Sequence, residues 1–159
     1  MNSTNKEAMR PWRLFLVEDN PADVVILREA LAEAGLTVDT EVAGSGSEAL
    51  ARLHACEDDP ARGAPDLILL DLNLPHMGGL ELLALLKNDR ILKSIPVLVL
   101  STSRNERDVS ESYRLHANGY LQKPLEFASF VRMLRSVHEF WACAAVPPSA
   151  VQQPCARAA

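Results

Sequence analysis

The sequence has few cysteines and no excess of basic residues. It contains three cysteines, an odd number, and no two of them have CxxC spacing. A disulfide framework or a zinc site is therefore not indicated, and we expect free thiols in a reducing compartment. Its 16 Lys and Arg residues stand against 21 Asp and Glu residues, for a formal net charge of −5. This balance argues against a nucleic-acid-binding surface.

Long hydrophobic runs are also missing. No apolar segment approaches the roughly 20 residues needed to cross a bilayer. The segment from Met1 to Trp12 is polar and has no apolar core, so it does not resemble a secretory signal peptide. We therefore expect a cytoplasmic protein that does not associate with a membrane.

Short apolar runs alternate with segments of helical pattern along the 159 residues, a length typical of one domain. The predicted strands are 14–17, 38–43, 67–70, 97–100 and 119–121. The predicted helices are 21–33, 47–56, 80–86, 106–116 and 125–142. Continuous apolar runs separated by helices predict an α/β fold with a parallel sheet that is covered on both faces.

Polar residues follow these predicted strands directly. Glu18 and Asp19 follow the first strand, Asp71 the third, Ser101 the fourth and Lys123 the fifth. In a parallel sheet these positions meet at the carboxyl edge. Three carboxylates repel one another, and a divalent cation such as Mg²⁺ or Mn²⁺ would relieve that repulsion. Taken separately, each acid is more simply a helix cap or a loop residue, but their joint placement favours a metal site.

With these residues in place, the chain resembles the receiver domains of response regulators. The matching motifs are VEDN at 17–20, DLILLDLNLP at 66–75 with the glycines at 78 and 79, LSTS at 100–103 and KP at 123–124. Ser101 lies 30 residues after Asp71, and Lys123 lies 22 residues after Ser101. The resemblance covers residues 12–142, and it implies a flavodoxin-like doubly wound sheet with strand order 2-1-3-4-5. We expect residues 1–11 and 143–159 to be flexible tails.

The resemblance also implies a role for each matching residue. Asp71 would accept a phosphoryl group from a histidine kinase, and Lys123 and Ser101 would bind that group. The metal ligands would be Glu18, Asp19, Asp71 and the backbone carbonyl of Asn73. Tyr120 would act with Ser101 as a switch, and Asn73 and Ser103 would influence dephosphorylation. The Lys123–Pro124 peptide bond would be cis.

Further motifs resemble single-domain regulators that partner bacterial phytochrome kinases. These motifs are EDNPAD at 18–23, SYRLHAN at 112–118 and FW at 140–141. They imply a phytochrome-type sensor histidine kinase as partner. A histidine phosphotransfer protein is a second candidate partner, for onward transfer.

The last predicted helix has an apolar arc of about 180°, wider than the stripe of roughly 100° that one buried face requires. We predict a homodimer through the fourth helix, fifth strand and fifth helix. The predicted dimer surface comprises Phe130, Met133, Val137, Phe140 and Trp141. An alternative is that a terminal segment of the same chain covers this arc.

Three rival interpretations fit the residues less well. A haloacid-dehalogenase-type phosphatase would need an acid two residues after Asp71, where this chain has Asn73. A degenerate receiver acting as an unphosphorylated scaffold would usually lack an acid or the lysine. A flavodoxin would need a phosphate-binding loop where Glu18 and Asp19 stand, and these acids would repel the phosphate.

Overall fold

The computed structural model describes residues 10–59 and 61–146. The strands are β1 (Trp12–Val17), β2 (Val38–Ala43), β3 (Leu67–Leu70), β4 (Val97–Ser101) and β5 (Gly119–Gln122). The helices are α1 (Pro21–Glu33), α2 (Gly46–Glu57), α3 (Gly79–Asn88), α4 (Glu106–Arg114) and α5 (Phe127–His138). A 3₁₀ turn, Leu92–Ser94, precedes β4, and a π-helical segment, Glu139–Ala144, follows α5.

The five strands form one parallel sheet in the order β2-β1-β3-β4-β5. Val17, the last residue of β1, pairs with Ala43 on one side and Leu70 on the other. The carboxyl ends of these strands therefore lie level with one another. The predicted flavodoxin-like fold class and strand order are confirmed.

Alternate residues of the central strands point into two separate hydrophobic layers. Phe15, Val17 and Leu70 pack with α2 and α3 on one face of the sheet. Leu14 and Leu69 pack with α1 and α5 on the other face. The central strands are buried on both faces, which explains why they read as continuous apolar runs rather than as an alternating pattern.

Local sequence determines where α1 begins. The side chain of Asn20 accepts a hydrogen bond from the Ala22 N–H at 3.0 Å, and Pro21 occupies the first helical position. Both features are favourable at a helix N-terminus. Because α1 starts immediately after β1, its first turn lies at the carboxyl edge of the sheet.

The end of the chain departs from the predicted single helix over 125–142. The helix α5 begins two residues later, at Phe127, and beyond His138 the backbone widens into the π-helical segment that runs to Ala144. Cys143 and Ala144 therefore continue a helical element, although we expected a tail from residue 143. Of the predicted tails, residues 1–9 and 147–159 lie outside the described residues.

None of the helices in the described part of the chain is both long and apolar enough to cross a membrane.

Candidate functional site

Three of the predicted site residues lie buried at the carboxyl edge of the sheet. Glu18 follows β1, Asp71 follows β3 and Ser101 ends β4. Their exposed fractions are 4%, 7% and 1%, respectively. Buried carboxylates need partners, because an isolated charge in a protein interior is strongly disfavoured.

Lys123, just after β5, is the partner that joins these acids. Its Nζ donates to Glu18 Oε2 at 2.9 Å and to Asp71 Oδ2 at 3.1 Å. A third bond, also 3.1 Å long, goes to Oδ2 of Asp23. One ammonium group therefore serves three carboxylates that come from separate elements of the fold.

Asp23 is the residue of this site that sequence reasoning missed. It belongs to the first turn of α1, and one of its oxygens lies within 4.8 Å of oxygens of Glu18 and Asp71. The available signal was its position, since a helix that starts directly after β1 brings its first turn to the same edge of the sheet. In the sequence Asp23 stands out only as the last residue of the EDNPAD motif.

The electrostatics of the cluster show an excess of negative charge. Burial, together with the hydrogen bond to Asp71, raises the pKa of Glu18 from 4.5 to about 7. Burial opposes the charge on Lys123, but hydrogen bonds and charges from Glu18, Asp71 and Asp23 outweigh it and hold the lysine pKa above its ordinary value. Lys123 alone therefore does not compensate three carboxylates.

The donor set fits a hard divalent cation. Glu18, Asp23 and Asp71 each place one oxygen within 4.8 Å of the others. Carboxylate oxygens are the ligands that Mg²⁺ and Mn²⁺ prefer. The structure does not bring Asp19 into this group, and its side chain is exposed. Asn73 lies close to Asp71, to whose Oδ1 its backbone N–H donates at 2.8 Å.

The predicted switch residues form a chain of contacts that leads away from the acids. The Oγ of Ser101 accepts the Ser103 N–H at 3.1 Å, and the Ser101 carbonyl accepts the Lys123 N–H at 2.9 Å. The Tyr120 hydroxyl donates to the Ser103 carbonyl at 3.0 Å. The Ser103 hydroxyl itself donates to Asp108 on α4 at 2.6 Å. The loop after β4 is thereby connected to the acid cluster, to β5 and to α4.

The structure corrects two further expectations. Phe130 and Val137, which we had assigned to a dimer surface, are buried in the layer between α5 and the sheet. A helical stripe in sequence does not distinguish the face against the sheet from a second apolar face.

The second corrected expectation concerns the Lys123–Pro124 peptide bond. The described residues contain no cis peptide bond, so this bond is trans. The trans form is the lower-energy isomer of such a bond by about 0.5–1 kcal/mol.

A cleft of about 940 Å³ lies at the opposite, amino end of the strands, where Arg13, Leu53 and Ile95 line it. None of the three carboxylates is among its lining residues. That cleft is far from the acids and the lysine, so it is separate from the acidic site.

The fold and these residues define a class of protein: a doubly wound α/β protein with an acidic, lysine-bridged site at the carboxyl edge of its sheet. Residues 14–135 match the model of the response regulator receiver domain. The chain belongs to this family, which consists of signalling proteins rather than typical enzymes.

Several individual relatives are similar over most of their length. The response regulator Rcp1 of Synechocystis sp. is 39% identical over 135 residues, covering 85% of this chain and 92% of that protein. The probable methanogenesis regulatory protein FilR2 of Methanothrix harundinacea is 38% identical, covering 85% and 86%.

Solved structures agree with this assignment. The phosphorylated cyanobacterial phytochrome response regulator RcpA has a TM-score of 0.77 and 42% identity, covering 87% of this chain and 99% of that one. The Mn²⁺-bound form of Rcp1 has a TM-score of 0.75 and 39% identity, with the same coverage.

Proposed function

We propose that this protein is a single-domain response regulator with receiver residues 12–142, and that Asp71 accepts a phosphoryl group from the phosphohistidine of a sensor kinase. An oxygen of Asp71 would attack phosphorus as the P–N bond breaks, and the electron pair of that bond would stay on the histidine, which leaves as a neutral imidazole because its other ring nitrogen carries a proton. The observation that carries the proposal is the contact of Lys123 with Asp71 and Glu18. A fixed ammonium beside the acceptor neutralises charge on the transferred oxygens without reorganisation.

We propose Mg²⁺, or Mn²⁺ in its place, as the metal that supplies the remaining positive charge. Glu18 and Asp71 would hold it. Asp19, whose side chain lies outside the cluster in the metal-free structure, would turn inward as a further ligand together with the Asn73 carbonyl. Asp23 would chiefly position Lys123, whose Nζ it contacts. The Mn²⁺-bound Rcp1 structure supports a divalent cation in a relative. With the metal bound, we expect the protein to assist its own phosphorylation and dephosphorylation.

The switch would start at Ser101 and Tyr120. A new phosphoryl group adds roughly −1.5 to −2 charges and offers an acceptor to the Ser101 hydroxyl. Converting a population from 1:99 to 99:1 needs about 5.5 kcal/mol, whereas one hydrogen bond to a charged group gives about 1.5–3 kcal/mol. Metal, Lys123 and the contacts of Tyr120 must therefore contribute, or the switch is partial.

Asn73 and Ser103 would set the lifetime of the phosphorylated state by flanking the path of the attacking water. The exposed side chain of Asn73 stands two residues after Asp71. The test is to substitute both residues and measure the dephosphorylation rate. An unchanged rate would show that Asn73 and Ser103 do not set this lifetime.

The proposed kinase partner is of the phytochrome type, because RcpA is a phytochrome response regulator and shares 42% of its residues with this chain. Exposed apolar side chains beside the site support a protein partner: Leu125, two residues after Lys123, is 98% exposed, and Val25 on α1 is also exposed. Kinase and regulator would meet in the cytoplasm. A histidine phosphotransfer protein could use the same surface for onward transfer.

We further propose a homodimer through α4, β5 and α5, with a surface reduced to Met133, Phe140 and Trp141. Phe140 is 57% exposed and packs edge-on against Trp141, with ring centroids 5.2 Å apart. Tyr113 on α4 is a further exposed aromatic side chain near β5, where its hydroxyl accepts the Tyr120 N–H. Aromatic residues of this kind are enriched at protein interfaces.

Intact mass after incubation with Mg²⁺ and acetyl phosphate tests the acceptor role. We expect a gain of one phosphoryl group, lost in Asp71→Asn and lost when Mg²⁺ is omitted. No gain under any condition would favour a scaffold that works without phosphorylation, and the dimer surface would then be its functional part.

A further inference from the structure

A second cluster of metal-ligand residues lies away from the phosphorylation site. His54 and Glu57 belong to the last turn of α2, and Asp89 directly follows α3. One ligand atom from each residue lies within 4.8 Å of the other two. In a doubly wound fold the helices run antiparallel to the strands, so these helix ends lie at the amino edge of the sheet, opposite Asp71.

Two of the three side chains are already held in place. Nε2 of His54 lies 2.8 Å from Oδ2 of Asp89. The other oxygen of Asp89 accepts the N–H groups of Ile91 and Leu92, at 2.8 and 2.9 Å. Hydrogen bonds of this kind to a carboxylate orient metal ligands and tune their affinity. Glu57 stands three residues after His54, a spacing that places both side chains on one face of a helix.

The chemistry of this group differs from that of the phosphorylation site. An imidazole nitrogen and carboxylate oxygens are both ligand types that zinc takes, and a site with three protein ligands leaves a fourth position for water. The nitrogen ligand favours Zn²⁺ over Mg²⁺, which prefers oxygen ligands. The side chain of His54 is 48% exposed and that of Asp89 26%, so an ion can reach the group from solution.

We propose that His54, Glu57 and Asp89 form a second cation site, selective for Zn²⁺ or a similar transition metal, which connects the end of α2 to the segment after α3. A neutral imidazole and two carboxylates leave two negative charges for the cation to compensate. The sequence did not indicate zinc, because no cysteine or histidine spacing along the chain matched a site. Folding brings Asp89 to His54 across 35 positions.

The competing explanation is a simple ion pair between His54 and Asp89. Their hydrogen bond raises the pKa of His54, which favours the protonated, metal-free pair. The experiment is therefore done at pH 8, where a proton competes less with the metal, and with excess Mg²⁺ to occupy the carboxylates around Asp71. Cys143 and Cys155 are replaced by serine in every protein so that free thiols do not bind the probe.

The probe is Zn²⁺, titrated into the full chain while the ¹⁵N resonances of the histidine side chains are followed. We expect one equivalent to shift the Nε2 resonance of His54. Binding should weaken by at least about tenfold in His54→Gln and in Glu57→Gln. Glu57→Gln does not alter the hydrogen bonds that hold Asp89, so it separates metal binding from folding. His138→Gln is the matched control, which removes an imidazole elsewhere and should bind as before.

Thermal unfolding provides a second readout. A cation that binds only the folded state raises the unfolding temperature. We expect Zn²⁺ to raise it in the parent protein and in His138→Gln, but not in His54→Gln. An unshifted His54 resonance, or equal Zn²⁺ affinity in the parent protein, His54→Gln and Glu57→Gln, would leave an ion pair only and overturn the proposal.

Discussion

The hydroxyl of Tyr120 donates a hydrogen bond to the backbone carbonyl of Ser103, 17 residues earlier in the chain, at 3.0 Å. This bond ties β5 to the loop after β4, the same loop whose Ser103 N–H is held by Ser101. A movement of Ser101 therefore changes the environment of Tyr120.

Tyr120→Phe removes this bond and keeps the ring. We expect the free energy of unfolding to fall by about 0.5–1.5 kcal/mol. Phosphorylation of Asp71 should persist, while the chemical-shift changes that phosphorylation causes in α4 should shrink.

Urea unfolding measures the change in stability, and NMR measures the chemical shifts of α4. Tyr113→Phe is the control, because the Tyr113 hydroxyl is a more distant acceptor at 3.3 Å on an exposed residue. If phosphorylation changed the chemical shifts of α4 equally in the parent protein and in Tyr120→Phe, Tyr120 would not be part of the switch.

Glu18 gives the metal-free protein a distinct pH dependence. Its folded pKa of about 7 exceeds the ordinary value of 4.5. The folded state therefore binds the proton more tightly, and stability should decrease as pH rises from about 4.5 through 7. The effect is on the order of 1–3 kcal/mol. Glu18→Gln should lack this component.

Urea unfolding in EDTA between pH 5 and pH 8 measures the difference between Glu18→Gln and the parent protein. Glu33→Gln, at an exposed acid near the end of α1, serves as the matched control and should follow the parent. If the unfolding free energies of Glu18→Gln and the parent changed with pH in the same way, the pH dependence could not be assigned to Glu18. Saturating Mg²⁺ should abolish the decrease, since the cation replaces the proton among the carboxylates.

Gly79 lies against the backbone that carries Asp71. A Cβ at this position would stand 2.5 Å from the Asp71 carbonyl oxygen and 2.5 Å from the Leu72 Cα. Both atoms belong to the main chain, so the loop after β3 must move to admit a methyl group. We expect Gly79→Ala to cost about 2 kcal/mol of stability and to slow phosphorylation by acetyl phosphate.

Gly78 provides the adjacent control for that substitution. A Cβ at Gly78 meets nothing within 4 Å. Gly78→Ala should therefore leave both the unfolding free energy and the phosphorylation rate close to those of the parent protein. If both alanine variants behaved alike, the close approach at Gly79 would not constrain the site.

Phe140 is the most exposed aromatic side chain of the proposed dimer surface. Phe140→Ser should weaken dimerisation by roughly tenfold or more, because buried aromatic side chains dominate interface energies. Sedimentation velocity over a concentration series measures the change, with and without phosphorylation. The control is Leu85→Ser, which changes an exposed apolar residue of α3 and should leave the fraction of dimer unchanged. A parent protein that is monomeric in both states would exclude the dimer.

The parts of the fold that local rules govern could be predicted from sequence. The helix α1 runs from Pro21 to Glu33 as expected, because Asn20 and Pro21 form a strong start signal. Glu18 and Asp71 were placed correctly at one edge, because each directly follows a buried strand. The parallel order of the strands also placed Lys123 at that edge, where the structure shows it in contact with both acids.

The missed features depend on orientation in three dimensions. Asp23 lies inside a helix, and its pairing with Lys123, 100 residues away, depends on how α1 packs beside β1. Phe130 and Val137 share a helical stripe with exposed residues, and only the packing of α5 on the sheet decides which of them are buried. The pairing of His54 with Asp89 likewise requires that α2 and α3 end side by side.

The two hydrophobic layers of the sheet have no buried residue in common. One layer holds α1 and α5, and the other holds α2, α3 and Tyr120. Substitutions can therefore accumulate in one layer while the packing of the other is kept. Substitutions that change which partner recognises α1 therefore need not change the side chains that pack around Tyr120. Partner recognition and the response to phosphorylation can in this way diverge separately in evolution.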